Sequence, residues 1–140
     1  MKFIPFREEH VEDLLAQPAQ ARMSQKITPK IAKMLEGHPS FTAMDGDIPV
    51  GAAGIIVGNG HRGMAWAYLT EVPTRKFITI HKGVLQFLEG CYVPRLEMTV
   101  DCGFEEGHRW ARLLGFTLEA EVMRSWNVVG EDVSLYARIR

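Results

Sequence analysis

The chain has 140 residues, of which 46% are hydrophobic and 24% charged, and its formal net charge is −1 at pH 7. This length allows one domain with a hydrophobic core, and hardly two. The near-neutral charge argues against a general nucleic-acid-binding protein, which usually carries a basic excess, and gives no support for attraction to anionic membranes.

The first part of the sequence predicts a strand, a helix and a loop. Residues 3–6 are expected to form a short strand, and residues 8–16 a helix with acids in its first turns. The apolar side chains that share one face of this helix are Val11, Leu14 and Leu15. Residues 17–26 are polar and interrupted by proline, so a loop with helical pieces is expected there.

A second helix is predicted from Thr28 and Pro29. A threonine cap followed by a proline at the first helical position is a strong start signal. Gly37 is suited to end this helix. The side chains expected to be buried along it are Ile31, Met34 and Leu35.

The middle of the chain predicts strands. Residues 41–44 lead into the dipeptide Asp45-Gly46, which favours a tight turn. Residues 50–57 are apolar enough to be buried on both faces. A further strand is expected at residues 64–72 and should end at Pro73, which lacks a ladder donor.

The last third alternates helix and strand. Apolar residues at helical spacing predict a helix at 77–89, ended by Gly90, and residues 95–100 predict a strand. A helix at 105–114 is expected to end at Gly115 in the left-handed conformation. Its expected buried side chains are Trp110, Leu113 and Leu114.

Two alternating runs close the sequence and should pair as an antiparallel hairpin. The first carries apolar residues at every second position of 116–122, and the second spans Val133–Ile139. We expect the final strand to be exposed and therefore able to pair across a homodimer.

No motif indicates a metal site, a disulfide or a membrane segment. Cys91 and Cys102 have no metal-type spacing and are expected to be buried as small hydrophobic residues. The histidines are also scattered without ligand spacing. The first residues, MKFIPFREEH, lack the apolar stretch of a signal peptide. Because the two cysteines form no disulfide framework, a reducing cytoplasm is the expected location.

The order of elements, together with three short stretches, resembles the GNAT superfamily of acyl-CoA-dependent N-acyltransferases. Residues 44–51 are similar to the family's hairpin before Val-Gly, residues 69–73 to the end of its fourth strand, and residues 110–116 to its late helix before Leu-Gly-Phe. The resemblance covers nearly the whole chain and implies a single acyl-CoA N-acyltransferase-like domain at 1–140. It is closest in style to acetyltransferase-like proteins of tailed bacteriophages.

The resemblance implies a GNAT-like α/β (α+β) fold. We therefore expect a mixed, mostly antiparallel central sheet of about six to seven strands, flanked by about four helices.

The resemblance also implies a site for acetyl-CoA after the fourth strand. GNAT enzymes hold the pyrophosphate with main-chain N–H groups at a helix N-terminus, usually in a glycine-rich stretch. The residues that match this stretch here are Lys76, Phe77, Ile78, Thr79, Ile80 and His81. Lys76 can replace the leading cation, but Thr79 and His81 stand at the small-residue positions, where His81 would crowd the approach. The alternative is that this stretch is only the solvated start of a helix.

The pantetheine arm would lie, by resemblance, where the fourth and fifth strands splay apart. Backbone groups of Leu69, Thr70 and Val72 would bind its amides on one side of this gap.

Amine acylation requires a base for the attacking amine and benefits from an acid for the leaving thiolate. Glu71 is the predicted base and Glu97 the alternative, and burial among apolar neighbours would raise the pKa of either. The family's tyrosine acid corresponds to Ala111, so it is absent. His108 and Tyr92 are the two candidate substitutes.

Two functions follow from this pattern. The first is an acetyl-CoA-dependent N-acetyltransferase with a degenerate pyrophosphate loop, acting on a small-molecule or protein amine. The second is a catalytically inactive structural or assembly protein of a bacteriophage, found in the host cytoplasm or the virion.

Overall fold

A computed structural model describes residues 1–15 and 27–140. Seven strands and four helices are present in this part of the chain. The strands are β1 (Lys2–Pro5), β2 (Ser40–Asp45), β3 (Ile48–Val57), β4 (Arg62–Leu69), β5 (Arg95–Asp101), β6 (Thr117–Met123) and β7 (Val133–Ile139). The helices are α1 (Glu9–Leu15), α2 (Pro29–Glu36), α3 (Thr74–Glu89) and α4 (Glu105–Leu113).

The strands form one sheet in the order β1-β2-β3-β4-β5-β7-β6. Strands β4 and β5 pair in parallel, with Arg62 opposite Arg95 and Met64 opposite Glu97. The β1–β2, β2–β3, β5–β7 and β6–β7 pairs are antiparallel. The predicted fold class, a mixed and mostly antiparallel sheet flanked by helices, is therefore confirmed.

The described chain divides into two compact units. The first unit contains Met1–Ile56 and Trp66–Cys91, and the second contains Val57–Ala65 and Tyr92–Arg140. Each unit thus combines segments that are distant in sequence, and the division falls within β4. A single acyltransferase-like domain over residues 1–140 stays a prediction.

Helices α1 and α2 supply much of the core of the first unit. The buried cluster contains Phe6, Val11, Leu14, Ile27, Ala32, Leu35 and Ala52. Along α2 the buried residues are Ala32 and Leu35, whereas Met34 is 41% exposed, so its predicted burial is wrong. At about 100° per residue, position 34 lies roughly 200° around the helix from Ala32.

Two short sequence motifs in the first unit have the local structure that was predicted for them. The Oγ1 of Thr28 accepts a hydrogen bond from the N–H of Ile31 at 3.2 Å, and Pro29 is the first residue of α2. Gly46 has a φ of +64° in the turn between β2 and β3, where glycine avoids the strain of a side chain. The loop predicted at 17–26, and the end of the first predicted helix at residue 16, lie outside the described residues.

The junction between β4 and α3 differs from the prediction. Strand β4 ends at Leu69 rather than at residue 72, and α3 begins at Thr74 rather than at residue 77. Pro73 stands at the cap position of α3, with a φ of −57°. A proline there suits the helix start, because its fixed φ is helical and the N–H groups of the first turn have no intrahelical acceptor. Pro73 therefore opens a helix instead of ending a strand.

In the second unit, α4 presents a different face to the core than predicted. Its buried residues are His108 and Ala111, followed by Leu114 at the cap, whereas Leu113 is 64% exposed. Burial at Leu113 was therefore predicted wrongly, because a residue five positions after His108 lies about 140° away around the helix. Gly115 follows with a φ of +88°, which confirms the left-handed helix end.

The closing hairpin is antiparallel, as predicted, but β7 lies inside the sheet. Val133–Ile139 pairs with β5 on one side and with β6 on the other. The prediction that this final strand is exposed and free to pair across a dimer is therefore wrong. The strand at this edge is β6, where Leu118 and Val122 are exposed.

Candidate functional site

The N-terminus of α3, in the first unit, is suited to hold an anion. Pro73 offers no side-chain cap, and the first turn carries no acidic residue. The N–H groups of Lys76 and Phe77 bond the carbonyl of Pro73 at 2.9 and 3.0 Å. Thr74 and Arg75 come before them, where an N–H group has no acceptor within the helix. The positive end of the α3 dipole therefore coincides with a basic first turn.

The side chain of Lys76 makes an ion pair with Asp45, at the end of β2. Its ammonium group donates a hydrogen bond to the Asp45 carboxylate and lowers the pKa of that carboxyl group below its ordinary value. A cleft of about 260 Å³ adjoins this pair. The residues that line it are Met1, Asp45, Arg75, Lys76 and Thr79. Nothing in the sequence pattern singled out Asp45 as a partner of Lys76.

The predicted pyrophosphate stretch lies entirely within α3. Ile78 and Thr79 are exposed, and Ile80 is buried. The ring of His81 stacks on that of Phe77, with 6.1 Å between centroids and 26° between planes. Position 81 lies about 10 Å along the helix from Thr74, at 1.5 Å per residue. The imidazole thus packs back against Phe77, at the end of the first turn, and the crowding of a ligand by His81 stays a prediction.

The end of β4 is fixed to β3 through Thr70. The N–H and the hydroxyl of Thr70 both donate to the carbonyl of Val50, at 3.0 and 2.9 Å. Thr70 is buried, while Leu69 and Val72 are half-buried. Glu71 is exposed between them, so the expectation that apolar neighbours enclose its carboxylate is wrong.

In the second unit, Glu97 is held by two arginines. Arg62 donates to both carboxylate oxygens of Glu97 at 2.8 and 2.9 Å, and Arg95 donates to one of them at 2.8 Å. These charged hydrogen bonds hold the pKa of Glu97 below its ordinary value of 4.5. The predicted rise in the pKa of Glu97 is therefore wrong. A carboxylate kept ionised by two guanidinium groups is a poor general base.

We expect Glu97→Gln to lower the free energy of unfolding at pH 7 by about 1–2 kcal/mol, because charge-assisted hydrogen bonds are lost. A lowered folded-state pKa contributes stability that is present above the unfolded pKa and lost as the pH falls through the folded one. The difference between wild type and variant should therefore shrink below about pH 4.5. Urea titrations at several pH values measure it, with the exposed Glu121→Gln as the control. A constant difference down to pH 2.5 would contradict the prediction.

His108 is buried in a hydrogen-bond network of the second unit. One ring nitrogen, Nε2, lies 3.0 Å from the carbonyl oxygen of Cys102 and therefore donates to it. The other, Nδ1, then accepts from the hydroxyl of Tyr136 at 2.7 Å. Both nitrogens are thus engaged inside the unit, and a role for His108 as an acid stays a prediction.

The position of the family's tyrosine is occupied by a buried methyl group. Ala111 has no exposed surface, and the substitute candidate Tyr92 is 91% exposed. Tyr136 is the buried tyrosine that hydrogen-bonds the α4 histidine, and the sequence pattern did not identify it as a partner of His108. Tyr136 lies in a strand with a regular alternating pattern, and this pattern indicated core packing but no hydrogen bond to His108.

The candidate residues are distributed over both units. The first unit brings together the end of β4, with Glu71, and the start of α3, with Lys76. Glu97 and His108 belong to the second unit.

Among residues 1–15 and 27–140, no cluster of histidine, cysteine or acidic side chains could hold a metal ion. Cys91 and Cys102 form no disulfide bond and are only partly buried, so the prediction that both are buried is wrong. None of the helices in this described part is long and apolar enough to cross a membrane.

The structure is similar to solved acetyltransferases over nearly its whole length. The acetyltransferase of the GNAT family from Streptococcus pneumoniae is 11% identical, with a TM-score of 0.72 and 99% of each chain covered. The ribosomal-protein-alanine N-acetyltransferase from Brucella melitensis is 14% identical, with a TM-score of 0.73 and 100% of each chain covered. The microcin C7 self immunity acetyltransferase MccE, in complex with acetyl-CoA and AMP, is 13% identical, with a TM-score of 0.70, 99% of this chain and 91% of that chain covered.

Identities this low establish the fold alone, so the chain has the fold of GNAT acetyltransferases. No protein-family model matches the sequence, and no curated protein matches it. The finer resemblance to bacteriophage proteins gains no support from these structural neighbours.

Proposed function

We propose that this chain is an acetyl-CoA-dependent N-acetyltransferase. The observation that carries the proposal is the start of α3: a helix with a basic, uncapped first turn follows the end of β4 in a chain with the GNAT fold. The N-terminus of a helix with exposed N–H groups is a general site for phosphate groups.

The residues at this helix start fit the diphosphate of acetyl-CoA. In the proposed complex the N–H groups of Thr74 and Arg75 donate to it, and the side chains of Arg75 and Lys76 balance its charge. These donors are fewer than in a glycine-rich loop, because the N–H groups of Lys76 and Phe77 already bond Pro73. Affinity should therefore be modest.

The end of β4 binds the pantetheine arm in this proposal. Its main chain from Leu69 to Val72 lines the arm, and the two bonds from Thr70 to Val50 keep this segment in place. The bound acetyl-CoA supplies an activated thioester. Glu71, at the same strand end, takes the proton of the attacking amine, directly or through a water molecule.

No side-chain acid is required, because a thiolate is already a good leaving group. Ala111 removes the usual donor, and His108 is the remaining candidate if its bond to Tyr136 opens.

The acceptor is an amine of a small molecule or a protein; the neighbour from Brucella is described as acting on ribosomal-protein alanine. The proposed location of the protein is the cytoplasm.

Acetyl-CoA should stabilise the protein, since a ligand that binds only the folded state raises the free energy of unfolding by about 2.7 kcal/mol at one hundred times its Kd. Thermal unfolding with acetyl-CoA and with free CoA measures this. Lys76→Glu should remove the shift, whereas the exposed Lys82→Glu on the same helix carries the same charge change and should keep it. Absence of a shift at millimolar acetyl-CoA in the wild type would overturn the proposal.

A second candidate is a non-catalytic protein that keeps the fold. The buried Ala111 in place of a tyrosine and the arginine-bound Glu97 favour it, because neither can act in proton transfer. This candidate predicts that acetyl-CoA produces no acetylated product with any amine. Binding without turnover in the wild type would support it.

A further inference from the structure

The ion pair between Asp45 and Lys76 places a carboxylate where the proposed cofactor would bring phosphate. Asp45 ends β2 and is followed by Gly46, whose positive φ turns the chain into β3. The Asp45 side chain reaches the first turn of α3 through its hydrogen bond with Lys76. This bond lowers the pKa of the Asp45 carboxyl group most, and the charges of Lys76, the N-terminal amino group and Arg75 lower it further. The Asp45 carboxylate therefore already neutralises part of the positive charge at the N-terminus of α3.

From this geometry we infer that Asp45 is an affinity-determining residue that competes with the ligand's phosphate groups for Lys76. The inference rests on the proposed function, because it concerns the same helix start. When the phosphate groups bind, the Lys76 ammonium leaves the Asp45 carboxylate, so the energy of this ion pair is subtracted from the energy of binding. Asp45 thus weakens the binding of phosphorylated ligands and acts through Lys76.

Exposure of the pair makes this exchange accessible. The Asp45 side chain is 40% exposed and the Lys76 side chain 30% exposed, and both line the same cleft. A pair open to solvent can separate without burying an unpaired charge. The same exposure means that salt screens the competition, so its effect should be largest at low ionic strength.

Isothermal titration with CoA tests the inference at low salt. Asp45→Asn should tighten CoA binding about three- to fivefold, a size typical of one partly screened charge. Asp47→Asn removes the same charge from an exposed position in the same turn and should change the affinity less. Pantetheine, which has no phosphate, should bind both variants and the wild type equally.

The double variant Asp45→Asn/Lys76→Met tests whether Asp45 changes the CoA affinity through Lys76. If Asp45 acts through Lys76, the double variant should bind CoA with the affinity of Lys76→Met alone. Unchanged or weaker CoA binding by Asp45→Asn would overturn the inference, as would an equal gain from Asp47→Asn. Failure of every variant and of the wild type to bind CoA would instead overturn the proposed function.

Discussion

Glu71→Gln is expected to lower kcat about a hundredfold while leaving the affinity for acetyl-CoA unchanged, since a positioned general base contributes at least that factor. Glutamine keeps the size of the side chain but cannot accept the amine proton. Glu71 is exposed two residues after the end of β4, next to Thr70, which is anchored to Val50. A change at this exposed position should leave the fold intact, so the loss should fall on kcat rather than on stability.

The measurement combines turnover with binding. Release of the CoA thiol from acetyl-CoA is followed with a panel of primary amines and peptides with a free α-amino group, and acetyl-CoA binding is titrated separately. Glu12→Gln makes the same chemical change at an exposed acid on α1 and serves as the control. An unchanged kcat in Glu71→Gln would remove Glu71 as the base. An equal fall in kcat for both variants would indicate a general loss of active protein.

Signals confined to a few neighbouring residues were predictable from the sequence. The start of α2 at Thr28 and Pro29 needs only a hydroxyl and a fixed φ, and the turns at Gly46 and Gly115 need only a positive φ. The continuous apolar run of β3 likewise predicts burial on both faces, because no polar side chain requires solvent.

Features that depend on distant partners were not predictable. The pKa of Glu97 is lowered most by Arg62, which is 35 residues away in sequence, and next by Arg95, which is two residues away. The larger of the two effects therefore left no trace in the local pattern around Glu97. The pairing of Lys76 with Asp45 spans 31 residues and left no trace in the motif. The place of β7 between β5 and β6 follows from sheet order, which the alternation of one strand does not contain.

In the candidate site, too, the local features were predictable from the sequence and the others were not. The type of residue at each motif position, including Ala111 in place of tyrosine, could be taken from the sequence alone. The early start of α3 could not, because Pro73 is compatible with both a strand end and a helix start. That single difference moves the expected phosphate donors from residues 76–81, at the predicted helix start, to Thr74 and Arg75.

Gly54→Ala is expected to destabilise the first unit by about 3 kcal/mol, at the upper end for overpacking, because no space exists for a methyl group. A Cβ at this position would lie 2.6 Å from the Cβ of Ser40, 2.7 Å from the carbonyl oxygen of Pro39 and 2.9 Å from Nε1 of Trp66. The carbonyl of Pro39 cannot move away easily, since it accepts a hydrogen bond from the N–H of Ile55 at 2.9 Å.

The close approach also sets the register of β2 against β3, in which Ser40 lies opposite Gly54. Moving the strands apart to admit a methyl group would strain this pairing, so the cost falls on main chain rather than on a flexible side chain. Thermal and urea unfolding measure it, with a decrease in Tm of roughly 10 °C expected for a chain of this size. Gly60→Ala is the matched control, because a Cβ there meets no atom within 4 Å. Equal stability of the two variants would show that β2 and β3 can separate without cost at this point.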